Sequence, residues 1–149
     1  MSAENTLTSL QRDDLRIVAA MIVPASEEYA VPGADDAAIQ ADIVATLGRD
    51  AALVRDALDH LARRAGMPLA DLDESAREKV ATQFRASGRP AAVTLTRVVL
   101  QCYYRDDRVL RSLGLELRPP FPQGYALEQG DWSLLDPVRA RPLMWRRTS

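Results

Sequence analysis

The fold is decided by residues 34–66, which read ADDAAIQADIVATLGRDAALVRDALDHLARRAG and contain two helical patterns in succession. The first pattern begins at Asp35 or Asp36, repeats apolar residues at four-residue steps and ends at Gly48. The second pattern ends at Gly66. The apolar residues of the two patterns are Ile39, Ile43, Leu47, Leu53, Ala57, Leu58 and Leu61. Two consecutive amphipathic patterns of this kind indicate an α-helical protein.

The segment before this stretch predicts one more helix. In Thr8-Ser9-Leu10-Gln11 a hydroxyl stands at the cap and a glutamine follows three residues later, which is the capping-box pattern. The apolar residues behind it fall near one helical face, and Pro24 ends the pattern. These apolar residues are Leu10, Leu15, Val18, Met21 and Ile22.

Two longer helices are predicted after this stretch. Asp73 is a suitable cap for the first of them, which ends at Gly88, and Pro90 suits the first turn of the second. The valine and threonine content of residues 93–99 would also suit a strand, but the flanking residues and the length of the pattern favour a helix.

A short last helix is predicted from Asp106 or Asp107 to Gly114. The sequence therefore predicts an all-α fold, in which residues 1–114 form a compact bundle of about five to six helices. Residues 115–149 are predicted to form a separate region.

This region, residues 115–149, differs from the bundle in composition. Its 35 residues contain five of the nine prolines and both tryptophans, and helical periodicity stops at Gly114. Disordered tails are poor in aromatic residues, so we expect an ordered, extended, proline- and aromatic-rich arm rather than a disordered tail.

Composition excludes several classes of function. The 149 residues carry a formal net charge of -2, which disfavours a nucleic-acid or anionic-membrane partner. One cysteine and one histidine leave little for zinc sites or nucleophilic catalysis, and the glycines form no phosphate-binding loop. We therefore expect no catalytic residue, cofactor site or metal site in this chain.

The residue types that protein interfaces enrich are concentrated late in the sequence. Two tyrosines run into a charge cluster after the fifth helix, and four arginines surround the last tryptophan. We predict that these side chains bind a partner protein. The predicted partner-binding residues are Tyr103, Tyr104, Arg105, Phe121, Tyr125, Trp132, Arg139, Arg141 and Trp145.

Other interpretations of the same residues stay open. The arm could pack only on its own domain, or its aromatic and arginine side chains could bind a nucleic acid. The alternative function is a helical adaptor or regulatory protein that binds another protein or a nucleic acid. A stand-alone enzyme would have to use His60 with Asp56, four residues before it, although an exposed helical face with charge pairs explains this spacing better. Cys102 is expected to be a small buried thiol.

The chain resembles the gluconate 2-dehydrogenase subunit 3 family, the small subunits of flavin-dependent glucose-methanol-choline type dehydrogenases. Leu7-Thr8, Gln11-Arg12, Leu15 and Ile22-Val23-Pro24 look like the opening helix of that family, followed by a Pro-Gly-Ala turn at residues 32–34. Leu100 to Tyr104, Val109, Leu113-Gly114 and the Pro119-Pro120-Phe121-Pro122 stretch are similar to its later segment. The residues between 36 and 90 show only generic helices.

The resemblance implies a non-catalytic companion subunit. A large flavoprotein subunit would hold FAD and oxidise an alcohol or a sugar, and this chain would bind and stabilise it in a heterodimer. Several relatives have twin-arginine signals, whereas no export signal is readable in residues 1–6 and no apolar run reaches the roughly 18 residues of a membrane span. We expect a cytoplasmic location for this chain alone, and a periplasmic one if the partner is exported.

Overall fold

A computed structural model describes residues 7–119, 121–125 and 128–142 of the chain. The chain divides into two compact units, Met1–Leu117 and Arg118–Ser149, which we call the helical unit and the C-terminal unit. The described residues of both units form helices, turns and loops, and they contain no strand beyond an isolated bridge between Ser26 and Val31. The predicted all-α fold is confirmed.

From residue 7 to residue 117 the helical unit contains six α-helices, and two short 3-10 turns, Gly48–Asp50 and Leu69–Asp71, lie between them. The segment from 90 to 103 is helical, so the strand interpretation of residues 93–99 is wrong. The six helices are α1 (Ser9–Ile22), α2 (Ala37–Thr46), α3 (Ala51–Ala65), α4 (Glu74–Ala86), α5 (Pro90–Tyr103) and α6 (Asp107–Ser112).

The helix starts follow the predicted capping residues. The Gln11 backbone N–H donates to the Thr8 hydroxyl over 3.2 Å, and the Thr8 N–H donates to the Gln11 side-chain oxygen over 3.0 Å, which completes the capping box. The carboxylates of Asp36, Asp73 and Asp106 accept from backbone N–H groups at the starts of α2, α4 and α6. These short-range bonds fix where each helix begins, because the first amides of a helix have no acceptor within the helix.

The ends of the helices use glycine where the backbone turns into the left-handed region. Gly66 follows α3 with φ 72°, and its N–H donates to the Ala62 carbonyl. Gly114 follows α6 with φ 71°. Residues with a Cβ are strained in this region, so glycine at these positions lets the chain leave one helix and start the next connection without backbone cost.

The core of the helical unit lies between α3 and α5, which make the most extensive helix contact in the described structure. Leu58 and Leu61 of α3 and Leu95 and Val99 of α5 are each exposed by 1% or less. α1 adds Leu15 and α2 adds Ile43, both fully buried. α3 and α5 are therefore the central helices on which the others pack.

A buried carboxylate joins α1 to the 3-10 turn Leu69–Asp71. Asp14 is only 2% exposed, and one of its oxygens accepts the Leu69 backbone N–H over 3.2 Å. Burial raises the pKa of this carboxyl above its usual value, and the hydrogen bond from Leu69 opposes that shift. Asp14 therefore satisfies a backbone donor inside the unit.

An arginine joins α6 to the start of α2. The Arg108 guanidinium donates to both Asp36 oxygens, over 2.8 and 3.1 Å, and to both Asp106 oxygens, over 2.8 and 2.9 Å. These bonds lower the pKa of Asp36 and of Asp106, because they favour the charged form of each carboxylate. The capping residues of two helices thus share one cation.

The C-terminal unit has a different character. A 3-10 turn, Trp132–Leu135, continues into a short helix, α7 (Asp136–Arg139), where the sequence analysis assigns no helix. Asp131 caps this segment, and its carboxylate accepts from the Ser133 N–H and hydroxyl. None of the described residues from 118 to 142 is buried.

Candidate functional site

The exposed apolar residues of the C-terminal unit are concentrated in its helical segment, residues 132–138. Trp132 is 60% exposed, Leu134 is 73% exposed and Val138 is 55% exposed. Leu134 belongs to the 3-10 turn and Val138 to α7, so both parts of the segment expose a large apolar side chain. Large contiguous apolar surfaces are uncommon on monomeric proteins, so this segment is the candidate binding surface of the C-terminal unit.

The predicted binding residues around this segment differ in exposure and in pairing. Phe121 is 85% exposed, and Arg139 lies against Asp136, with 3.2 Å between nitrogen and carboxylate oxygen. Arg141 is exposed as well. Trp145 lies outside the described residues, so its predicted role stays a prediction.

Tyr125 takes part in a local structure with Arg118. Its hydroxyl donates to the Arg118 carbonyl, and the Arg118 guanidinium lies over the tyrosine ring, 5.0 Å from the ring centroid. The same guanidinium donates to the Gly124 carbonyl over 2.7 Å. These contacts join Tyr125 and Gly124 to Arg118, while Tyr125 remains 45% exposed.

The predicted cluster Tyr103-Tyr104-Arg105 is only partly available to a partner. Tyr103 is 4% exposed and belongs to the core, so its ring offers no surface, and burial raises the pKa of its hydroxyl. Tyr104 is 53% exposed and packs edge-on against Tyr103, with 5.2 Å between ring centroids. The prediction of Tyr103 as a binding residue is therefore wrong. Tyr103 lies on the buried apolar face of α5, and only Tyr104 of the two tyrosines is exposed.

Arg105 joins the end of α5 to α2. Its Nε donates to Asp42 over 3.1 Å, and its Nη2 donates to the same carboxylate and lies 3.4 Å from the Thr46 hydroxyl. The Arg105 side chain nevertheless remains 56% exposed. Arg105 therefore links the end of α5 to α2 through an exposed ion pair.

Cys102 is buried, as the sequence predicts. It is 4% exposed, and its Sγ lies 3.5 Å from the Thr46 hydroxyl oxygen and 3.7 Å from Arg105 Nη2. Burial raises the pKa of the thiol, so the thiol form prevails at neutral pH. The surroundings of Cys102 are those of a core residue.

His60 and Asp56 have separate neighbours. The Asp56 carboxylate lies 3.8 Å from an Arg89 nitrogen, and the His60 ring packs against Phe84 with 5.6 Å between centroids. The imidazole of His60 therefore contacts an aromatic ring, and the carboxylate of Asp56 contacts an arginine. These contacts do not pair the two groups as an acid and a base.

The described residues of the helical unit form a sizeable apolar groove that the sequence does not predict. Its volume is about 750 Å³, within the range of roughly 300–1,000 Å³ that ligand pockets occupy. α1, α4 and α5 form its walls, and Leu61 of α3 contributes to its lining. The principal apolar lining residues are Val18, Met21, Ile22, Ala81, Val93 and Leu100. Val93 is 62% exposed and Met21 38% exposed, so the groove opens to solvent.

Charged side chains stand at the edge of the groove. Glu78 and Arg85 lie on α4, seven residues apart, and neither makes an ion pair with another described residue. Arg97 of α5 donates to Asp50 over 2.8 Å and to Gln101 over 2.9 Å. Arg97 is thus neutralised within the unit, and the available charges of the edge are those of α4.

Other features bear on the class of protein. Within residues 7–119, 121–125 and 128–142, no three histidine, cysteine, aspartate or glutamate side chains are grouped as a metal site would require. No helix in that part of the chain is long and apolar enough to cross a membrane.

Comparison with known proteins yields no match: no protein-family model matches the chain, and neither a curated protein nor a solved structure does.

Proposed function

We propose that this chain is a non-catalytic small subunit that binds and stabilises a FAD-dependent dehydrogenase of the glucose-methanol-choline type. In the proposed heterodimer, FAD and the oxidation of an alcohol or sugar belong to the large subunit. One observation carries the proposal: Trp132, Leu134 and Val138 are between 55% and 73% exposed on a short helical segment.

The energetics support binding through this segment. A tryptophan buries about 200 Å² when it is covered, and at about 25 cal/mol per Å² the exposed 60% of Trp132 corresponds to roughly 3 kcal/mol. The chain itself gains none of this stabilisation while the ring stays in water. A partner that covers Trp132 and its neighbours would gain it on binding, less the cost of association.

The choice of a flavoprotein partner rests on the sequence pattern, and the structure gives a physical role to several residues of that pattern. Thr8 and Gln11 cap α1, and the Ala34 N–H donates to the Val23 carbonyl over 2.8 Å, which closes the Pro-Gly-Ala turn onto the end of α1. At Gly33 a Cβ would lie 2.9 Å from the Ala25 backbone nitrogen. Local geometry explains these residues, and the flavoprotein partner is our proposal from the resemblance.

Co-expression with a flavoprotein of the glucose-methanol-choline type from the same genome tests the proposal. We expect the two chains to copurify, and we expect the large subunit to carry FAD and to be active only with this chain. The proposal fails if the flavoprotein is folded, loaded with FAD and active alone and does not retain this chain.

A matched pair of variants locates the binding surface. Trp132→Ala should weaken the complex about thirtyfold or more, because truncating a central aromatic anchor commonly costs 2 kcal/mol or more. Tyr29→Ala is the control, since Tyr29 is 64% exposed in the helical unit. Equal affinities for the two variants would contradict a role of the C-terminal unit in binding.

Salt dependence separates the alternative partners. Affinity for a nucleic acid falls steeply with salt because counterions are released, whereas a mainly apolar protein interface responds much less. We expect a shallow salt dependence for the flavoprotein complex. Cell fractionation then tests the proposed cytoplasmic location against export together with the partner.

A further inference from the structure

We propose that the groove between α1, α4 and α5 is a second docking site, and that it takes one amphipathic helix of a partner protein. This helix carries a basic residue opposite Glu78 and an acidic residue opposite Arg85. The inference does not depend on the partner being a flavoprotein, and it concerns a different surface from the C-terminal unit.

The residues that line the groove on α1 and α5 have the spacing that packs against a further helix. Met21 and Ile22 of α1 lie three and four residues after Val18, and Val93, Thr96 and Leu100 of α5 are spaced by three and then four. Such spacings place side chains in stripes along one face of a helix, and a further helix packs its own ridges between such stripes. Both stripes border the groove, where Met21, Val93 and Thr96 are exposed and Val18 is buried, and a groove between two such stripes is the kind of surface that helix-in-groove recognition uses.

The size of the groove fits a short helix. A whole turn of a helix about 10 Å across occupies roughly 420 Å³, and only its apolar face enters the groove, so about 750 Å³ accommodates that face over at least two turns. Two turns present about three or four apolar anchors on one face.

The openness of the groove disfavours a small molecule. Half of its lining residues are exposed, including Thr82, Thr96 and Val93. Typical ligand sites bury 70–90% or more of a drug-sized ligand, and a groove with so exposed a lining suits an occupant that needs only one face covered. A helix, by contrast, buries only its apolar face and keeps its polar face in water.

The charges on α4 identify the chemistry of the occupant. Glu78 and Arg85 are about 10.5 Å apart along the helix axis, at about 1.5 Å per residue, which is nearly two turns. A docked helix with opposite charges two turns apart pairs with both, whereas a uniformly acidic or basic helix meets one like charge. Charge complementarity of this kind selects partners even where it adds little affinity.

A second copy of the chain fits the groove less well. A symmetric dimer through the groove would place the same concave surface on both sides, and two facing troughs leave space between them. The occupant must therefore be convex, as the apolar face of a helix is.

Selection from a displayed library of two- to four-turn amphipathic helices against the full chain tests the proposal. We expect enriched peptides to carry apolar anchors at helical spacing together with one basic and one acidic residue two turns apart. Val93→Asp should weaken the binding of these peptides at least about tenfold. Leu10→Asp is the control, since Leu10 is 50% exposed on α1 and does not line the groove. Circular dichroism verifies that both variants keep their helices.

A charge swap tests the predicted polarity. Arg85→Glu should weaken the selected peptides about tenfold, and replacing their acidic residue by lysine should restore binding. The proposal is overturned if no peptide is enriched, if Val93→Asp and Leu10→Asp bind equally, or if the charge swap has no effect.

Two further outcomes would overturn it in favour of another occupant. One is a dimer of the chain that Val93→Asp dissociates. The other is an apolar fluorescent dye that Val93→Asp releases and no peptide displaces. Trp132→Ala should leave peptide binding unchanged, so a failure here is distinguishable from a failure of the proposed function.

Discussion

The helical unit and the C-terminal unit treat their large apolar side chains in opposite ways. In the helical unit Leu58 and Leu95 are at most 1% exposed, whereas in the C-terminal unit Phe121 is 85% exposed and Leu134 is 73% exposed. Burial converts apolar surface into folding stability, and exposure leaves that surface for association. The comparison suggests that folding stability is concentrated in the helical unit and binding of the proposed flavoprotein partner in the C-terminal unit, and the following variants weaken or sharpen that division.

Truncation after Leu117 should have the largest effect on binding. It removes every exposed apolar residue of the C-terminal unit, so we expect affinity for the flavoprotein partner to fall at least about a thousandfold, or about 4 kcal/mol. The free energy of unfolding should change little, because none of the described residues removed is buried. Calorimetric titration and chemical denaturation measure the two quantities. A truncated chain that loses its helical circular dichroism would show that the division is false.

Leu58→Ala should have the converse effect. Leu58 is fully buried on α3, and removing its side chain leaves a cavity between the central helices. We expect the free energy of unfolding to fall by about 3 kcal/mol, within the usual range of about 2–5 kcal/mol, while the affinity of the folded fraction stays the same. Urea denaturation measures the loss, and Leu134→Ala, at an exposed position, serves as the control for a leucine truncation without a cavity.

Asp14→Ala should destabilise the helical unit by about 1–3 kcal/mol, because it leaves the buried Leu69 N–H without an acceptor. Asp14→Asn keeps an oxygen that can accept from the Leu69 N–H, so this variant should lose much less stability. The raised pKa of Asp14 adds a pH signature: the carboxyl contributes stability that is fully present below pH about 3.9 and is lost as pH rises through its folded pKa. Equal losses for the two variants would contradict the role of the hydrogen bond.

Arg108→Ala should have the smallest effect, about 1 kcal/mol or less at neutral pH, since the guanidinium is partly exposed. Asp36 and Asp106 have lowered pKa values, so their pairing contributes stability above pH about 4 that is lost as pH falls through their folded pKa values. The variant should therefore lose less stability than the natural chain between pH 5 and pH 3. Arg111→Ala is the control, because it removes an exposed ion pair with Asp107 on the same helix. This variant should lose as much stability between pH 5 and pH 3 as the natural chain does.

The helix boundaries were predictable because they depend on local chemistry. The capping box at Thr8 and Gln11, the caps at Asp36 and Asp73 and the glycine after α3 act within a few residues of their own position. Such signals are readable without knowledge of the tertiary structure. The burial of Cys102 followed in the same way from its place in an apolar stripe.

The groove was not predictable because it depends on how far apart three helices pack. Met21 belongs to the apolar face of α1 by its spacing, yet it is 38% exposed, because the described helices of the helical unit leave it at the groove. Asp14 is the opposite case, a charged residue that is buried. It lies four residues before Val18 on the same face of α1, and this position in the sequence was the signal for a buried carboxylate. The helical turn from Trp132 to Arg139 was missed because it is short and its apolar residues are exposed.

α4 is held to the helical unit more weakly than the helices on which it packs. Of its 13 residues only Phe84 is buried, whereas α5 buries eight residues. Hydrogen exchange reports such differences, since segments with few buried contacts open locally at a lower free energy than the core. The amide protons of α4 should therefore exchange through openings that leave α3 and α5 closed. Because α4 is one wall of the groove, these openings change the width of the groove. A helix bound there would slow hydrogen exchange more along α4 than in any other helix of the unit.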